Sequence, residues 1–117
     1  MRPTQEITAI SQMGTNVASG GTVTPTGVSW TDTYEPDVRL LVNVHGGAAG
    51  ALIATLEQSN TVGSAYASLA TLSCGSIAGV YSTDAFATMQ YLRVVATATG
   101  GATPVSATLV GKKRTVL

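Results

Sequence analysis

The strongest structural signal in the sequence is the alternation of side chains in VRLLVNVH, residues 38–45. Aliphatic residues occupy positions 38, 40, 42 and 44, and polar residues occupy positions 39, 43 and 45. Because successive side chains of a strand point to opposite faces, this period of two predicts a strand with one buried face. Pro36 before the run and the glycines and alanines at 46–50 after it predict where the strand ends.

Further short strands are predicted on both sides of this segment. Their ranges are 5–10, 22–30, 51–58, 65–72, 76–81, 91–98 and 105–110. Residues 51–58 and 65–72 also fit a helical pattern, but the turn-forming residues at 59–64 favour a strand for the first. Pro25 lacks an N–H group, so it is expected to reduce the middle of 22–30 to an edge strand or a bulge.

Seven or eight short strands separated by turn residues predict an all-β fold. We expect residues 1–117 to form a single domain, an antiparallel β-sandwich of the jelly-roll or immunoglobulin-like type. The five-residue connection at 46–50 is predicted to close a hairpin between the strands that flank it. Strands 91–98 and 105–110 are predicted to form a second hairpin.

The two ends of the sequence differ from its middle. Residues 11–21 are mainly polar and contain three glycines, which predicts an extended N-terminal arm or long loop within residues 1–21. Residues 112–117 follow the last alternating segment and are predicted to form a tail.

The composition excludes several classes of protein. Charged residues make up 10% of the chain, where about 25% is usual, and the net charge is zero. A neutral chain lacks general attraction for phosphate backbones, so we expect no nucleic-acid partner. No apolar run reaches the roughly 20 residues of a membrane span, and residues 1–8 lack the apolar stretch of a secretory signal. We therefore expect no membrane partner.

No complete set of catalytic residues is present in the sequence. The only histidine, His45, precedes two glycines, which resembles the oxyanion loop of some esterases, but no nucleophile motif accompanies it. A loop histidine in solvent is the favoured interpretation. The only cysteine, Cys74, has no cationic neighbour in sequence and is interpreted as a structural thiol that forms no internal disulfide.

Metal and phosphate sites are also not predicted. Asp32, Glu35 and Asp37 form the densest acidic group, but their spacing does not match the calcium-binding loop, so solvated turn carboxylates are favoured. The glycines at 46–50 and 100–101 lack the lysine of a phosphate-binding loop. We expect no catalytic residue, no metal site and no cofactor.

Five residues are candidates for an interface with another protein. Trp30 lies near a turn, where an exposed aromatic side chain would mark a contact surface, and Tyr34 belongs to the boundary segment before the strand at 38–45. The other three form the only cationic run, Lys112, Lys113 and Arg114, for which an acidic patch on a neighbouring subunit is a natural partner.

The C-terminal half of the chain resembles a known family in its order of strands and turns. The resemblance lies in LEQS at 56–59, Tyr66, YLRVV at 91–95, TGG at 99–101 and LVGK at 109–112. In this layout the chain resembles the small capsid decoration proteins, also called cement proteins, of tailed bacteriophages. The resemblance covers about half of the chain and includes no catalytic motif.

The resemblance implies a non-enzymatic virion structural protein. Such a protein is made in the host cytoplasm, binds the outer surface of the phage head, commonly as a homotrimer, and bridges major capsid subunits to stabilise the capsid. Two alternatives stay open: a head-tail joining or tail subunit, and a carbohydrate-binding β-sandwich module, which would need an exposed aromatic platform.

Overall fold

Nine β-strands and no α-helix make up the part of the chain that the computed structural model describes, residues 7–45, 51–75 and 77–114. No helix within these ranges is long and apolar enough to span a membrane. The strands are β1 (Ile7–Val17), β2 (Thr22–Val23), β3 (Val28–Ser29), β4 (Tyr34–Val44), β5 (Ala51–Ser59), β6 (Ala67–Gly75), β7 (Gly79–Phe86), β8 (Tyr91–Thr99) and β9 (Thr103–Lys113).

The strands pair in a nested order. β1 pairs with β9, β2 and β3 both pair with β8, β4 pairs with β7, and β5 pairs with β6, all antiparallel. Two more ladders, β4 with β9 and β5 with β8, join these pairs into sheet I (β1-β9-β4-β7) and sheet II (β2-β8-β5-β6, with β3 also on β8). Nested antiparallel pairing of this kind, divided between two packed sheets, is the jelly-roll topology. The predicted β-sandwich is therefore confirmed.

The core lies between the inner faces of the two sheets and is mainly aliphatic. The alternation at 38–45 is confirmed, because the side chains at the even positions of β4 are buried. The same period of two buries one face of β5, β8 and β9. The fully buried large side chains include Trp30, Leu40, Leu52, Leu56, Leu92 and Leu109.

Both predicted hairpins are wrong. β4 and β5 lie in different sheets, and so do β8 and β9, so neither pair of strands forms a hairpin. Residues 46–50, predicted to close the first hairpin, lie outside the described ranges. Alternation identifies which face of a strand is buried, but it does not identify the neighbouring strand. Among consecutive strands of the described ranges, β5 and β6 do form a hairpin.

The predicted N-terminal arm is also wrong for the described residues. Residues 7–17 form the full-length strand β1, paired with β9 from Ile7↔Lys112 to Val17↔Thr103. The register shifts between Ser11 and Met13, so Gln12 is an extra residue that breaks the alternation. The C-terminal tail is shorter than predicted, because Lys112 and Lys113 belong to β9. Residues 1–6 and 115–117 lie outside the described ranges.

Pro25 divides the segment predicted at 22–30 into β2 and β3, which accounts for the ninth strand. Between these two short strands, β8 has no strand beside it. The Gln12 side chain enters this gap, and its Oε1 accepts a hydrogen bond of 3.1 Å from the Val94 N–H. The β1 bulge thus satisfies a backbone donor of the opposite sheet.

The remaining strand predictions differ mainly in their bounds. Residues 65–72 belong to strand β6 from residue 67 onward, so the helical alternative is wrong there, and 51–58 is β5. The strand predicted at 76–81 begins at Gly79 and continues to Phe86. The strand predicted at 105–110 is longer at both ends.

Leu40→Ala should destabilise the protein far more than Leu41→Ala. Leu40 is fully buried between the sheets, whereas Leu41 points outward from the same strand and is half-buried. We expect a loss of about 2–5 kcal/mol in the free energy of unfolding for Leu40→Ala, and about 1 kcal/mol or less for Leu41→Ala. Urea denaturation measures both, and equal losses would contradict the assigned faces.

Candidate interaction surface

Trp30 joins the two sheets at one end of the sandwich. Its indole ring is fully buried and stacks on Tyr34, with ring centroids 4.6 Å apart. Its Nε1 donates a hydrogen bond of 3.0 Å to the Glu35 carbonyl, and its backbone N–H donates one of 2.7 Å to the Gln90 carbonyl. Trp30 therefore connects the start of β4 in sheet I with the residue before β8 in sheet II.

Gly111 makes room for this ring. It lies on the inner face of β9, and a Cβ atom at this position would overlap the Trp30 ring. The close approach of ring and backbone fixes the end of β9 against the turn at residues 30–33. The Trp30 side chain is therefore not exposed, and the prediction of an exposed aromatic at this position is wrong. The reason is that the turn that carries Trp30 is folded over the core.

The predicted cationic residues are held beside the Trp30 turn. In the β4–β9 ladder, Tyr34 is opposite Lys113. The Arg114 N–H donates to the Thr33 carbonyl at 2.8 Å, and Arg114 Nε donates to the Thr31 carbonyl at 2.7 Å. The structure thus brings all five predicted residues together. Lys112, Lys113 and Arg114 are exposed, and Tyr34 is half-buried.

A shallow groove of about 410 Å³ lies on the outer face of sheet I next to these cations. Its lining includes Ile7, Asp37, Arg39, Asp84 and Lys112. Arg39 and Asp84 form a two-point ion pair, with Nε–Oδ1 at 2.8 Å and Nη2–Oδ2 at 3.3 Å. Hydrogen bonding from Arg39 lowers the pKa of Asp84, and the same pair raises the pKa of Arg39.

A second ion pair lies on the outer face of sheet II. Arg93 Nε is 2.8 Å from Glu57 Oε1, and the Arg93 guanidinium carbon is 3.8 Å from the centre of the Tyr66 ring. The Tyr66 hydroxyl donates to the Val62 carbonyl at 2.7 Å within the loop between β5 and β6. The contact with Arg93 joins this loop to β8. Burial raises the pKa of Tyr66, although the positive charge of Arg93 opposes this rise.

Among the described residues, the charged side chains are confined to one part of the sandwich, which we call the charged end. It contains the turn at 30–33, the loop at 60–66, the connection at 87–90 and Arg114. Beyond the pairs Arg39–Asp84 and Glu57–Arg93, toward the opposite, uncharged end, the described residues include no Asp, Glu, Lys or Arg. In the sequence the charges cluster at 32–37 and 112–114, and only the fold brings both clusters to one end.

The acidic residues at the charged end have different surroundings. Asp32 Oδ2 accepts a hydrogen bond of 2.9 Å from Gln90 Nε2, whereas Asp37 lines the groove. Within residues 7–45, 51–75 and 77–114, no three His, Cys, Asp or Glu side chains converge as metal ligands would.

His45 lies at the uncharged end, where its Nε2 is 2.8 Å from Ser106 Oγ. A histidine beside a serine is two thirds of a hydrolytic triad, but the described residues at this end include no carboxylate to orient the ring. The glycines that follow His45 lie outside the described residues.

Cys74 is buried, and burial raises the pKa of its thiol to about 11. The thiol is therefore protonated at neutral pH, as expected of a structural cysteine.

The aromatic side chains differ in exposure. Trp30 is in the core and so cannot belong to an exposed aromatic platform, each of the four tyrosines is half-buried, and Phe86 is 58% exposed. One face of the Tyr66 ring is covered by Arg93.

The sequence matches no protein-family model and no curated protein. The charges, contacts and exposed edges of this chain are therefore the basis on which its function is inferred.

Gly111→Ala should destabilise the protein, because the added methyl group overlaps the Trp30 ring. Overpacking of this kind costs about 1–3 kcal/mol. Gly14→Ala is the matched control, since a Cβ atom at position 14 of β1 meets no atom within 4 Å. Urea denaturation and Trp30 fluorescence measure the effect, and equal stability of the two variants would contradict the assigned contact.

Arg39→Ala should raise the pKa of Asp84 toward its ordinary value of 3.8. A carboxyl group whose pKa is lowered by folding stabilises the fold above its ordinary pKa, and this contribution disappears as the pH falls through the lowered value. In the variant this acid-dependent loss should be smaller. NMR titration of the Asp84 carboxyl carbon measures the shift, and identical titration in both proteins would contradict the ion pair.

Proposed function

We propose that this protein is a virion structural protein that decorates the outer surface of a bacteriophage head and bridges neighbouring major capsid subunits. The observation that carries the proposal is the segregation of charge along the sandwich. The resemblance of the C-terminal half to phage decoration proteins and the jelly-roll architecture are in keeping with it.

The uncharged end is suited to close packing against another protein. The described part of its surface consists mainly of Ala, Gly, Ser and Thr, with an exposed Ile77. Small side chains lose little conformational entropy when they become buried. A surface without charges also avoids the desolvation cost that buried ions carry. We propose that this end packs against one capsid subunit.

The charged end is suited to a different kind of contact. Lys112, Lys113 and Arg114 are exposed there, and the backbone of Arg114 is fixed by the turn beside Trp30. Ordered cations at the rim of an interface increase the rate of association with an acidic surface and make it sensitive to salt. We propose that these cations meet carboxylates of a neighbouring subunit, so that the two ends bridge the lattice.

Stabilisation then follows from linkage alone. A protein that binds the assembled shell but not the free subunits stabilises the shell by mass action and needs no catalytic group. The chain would act as an additional contact between subunits.

Ala102→Glu should weaken binding to purified capsids of the encoding phage about tenfold or more, because it places a charge in the packed contact. Ala102 is exposed in the β8–β9 connection, so the fold should tolerate the change, and Ala102→Ser is the uncharged control. Replacing Lys112, Lys113 and Arg114 by Ala should instead slow association and reduce its dependence on salt.

Co-sedimentation and the thermal resistance of the capsids measure these effects. If the wild-type protein neither bound capsids nor changed their thermal or osmotic resistance, the proposal would be wrong. The copy number per particle, from mass spectrometry, separates a coat with hundreds of copies from a joining or tail subunit with a few copies.

A further inference from the structure

The outer edge of β7 is the most regular exposed edge of the described sandwich. β7 pairs with β4 in one unbroken register from Asp37↔Phe86 to Val44↔Gly79. No other strand of the described chain pairs with its second edge. The strand contains no proline, lysine or arginine, and its one charged side chain, Asp84, is paired with Arg39 of β4.

The other edges of the two sheets are interrupted. β1 contains the bulge at Gln12. β6 shifts register twice against β5, which leaves Leu69 and Cys74 as extra residues. β2 and β3 have two residues each and are separated by Pro25. Since bulges, short strands and proline all discourage pairing with another strand, β7 is the edge left open to it.

The backbone of β7 offers its outward hydrogen-bonding groups at even positions. Just beyond the strand and in the same register, the Ala87 N–H donates to the Pro36 carbonyl of the chain leading into β4, at 2.9 Å. N–H and C=O groups of alternate residues point to opposite sides of a strand, so those of odd positions face β4. The groups of Val80, Ser82, Asp84 and Phe86 therefore face the open edge.

From this edge we infer that two copies of the chain associate through β7, antiparallel across a two-fold axis at Thr83. In this register Val80 is opposite Phe86 of the second copy, and Ser82 is opposite its Asp84, with two backbone hydrogen bonds within each such pair. The two-fold axis repeats both contacts. Sheet I of one copy then continues into sheet I of the other.

The side chains of β7 are self-complementary in this register. Val80 and Phe86 are exposed to 68% and 58%, and each gains an apolar neighbour from the other copy. Asp84 faces a hydroxyl that can donate to it, and Arg39 of its own chain already balances its charge. A register centred at Ser82 would instead place Val80 opposite Asp84, so the side chains select the axis at Thr83.

This inference does not depend on the proposed function, and it differs from the homotrimer that the family resemblance implies. Sedimentation equilibrium of the wild-type protein should give a mass twice 11.8 kDa that decreases on dilution. A mass of one or three chains at every concentration would overturn the inference.

Ser82→Pro should raise the dissociation constant of the dimer about tenfold or more, because it removes an N–H that only the dimer uses. Ser82→Ala keeps this N–H and should remain dimeric. Thr83→Pro removes an N–H that faces β4 and should instead lower the unfolding midpoint of the monomer. Dimerisation that is unchanged in a folded Ser82→Pro variant would overturn the inference.

Thr83→Cys tests the register itself. Residues on the axis form a pair without backbone hydrogen bonds, whose Cα atoms lie about 4.5 Å apart, within the range for a disulfide. The variant should form a disulfide-linked dimer under mild oxidation, while the buried Cys74 does not interfere. If the protein were monomeric and Ser82→Pro abolished capsid binding, the edge would pair with a capsid strand, and the dimer would be wrong.

Discussion

The contact between the Trp30 ring and Gly111 organises the charged end of this sandwich. The indole occupies the space that a side chain on β9 would otherwise fill, and its N–H group donates to the Glu35 carbonyl in β4. The backbone N–H of Trp30 donates to the Gln90 carbonyl just before β8. A single residue thereby ties both sheets to the same turn. This contact also positions the exposed cations at 112–114, because they follow Gly111 directly at the end of β9.

The faces of the long strands could be predicted from the sequence, and their partners could not. Leu40, Leu92 and Leu109 are buried because each occupies the inward position of an alternating strand. The nested pairing of a jelly roll has no local signal in the sequence, since a glycine-rich connection can close a hairpin or cross to the other sheet. The glycines at 46–50 and 100–101 are the reason that two hairpins are wrongly predicted.

The predictions for residues 11–21 and for Trp30 are wrong for local physical reasons. In β1, the extra residue Gln12 moves the next buried position from 12 to 13, so the alternation disappears from the sequence although the strand continues to Val17. The position of Trp30 near a turn predicts an exposed side chain, whereas the ring is fully buried. The signal that could have corrected this is Gly111: a glycine at an inward position, in series with Val105, Ala107 and Leu109, leaves room for one large ring.

The place of β9 in the nested order has a consequence for biosynthesis. β9 is the last of the nine strands to be made, yet it lies between β1 and β4 and pairs with both. Until the ribosome has released it, sheet I lacks its connection, and β1 has no strand to pair with. Contacts between distant parts of a chain form slowly, so the insertion of β9 between β1 and β4 should be a late step in folding.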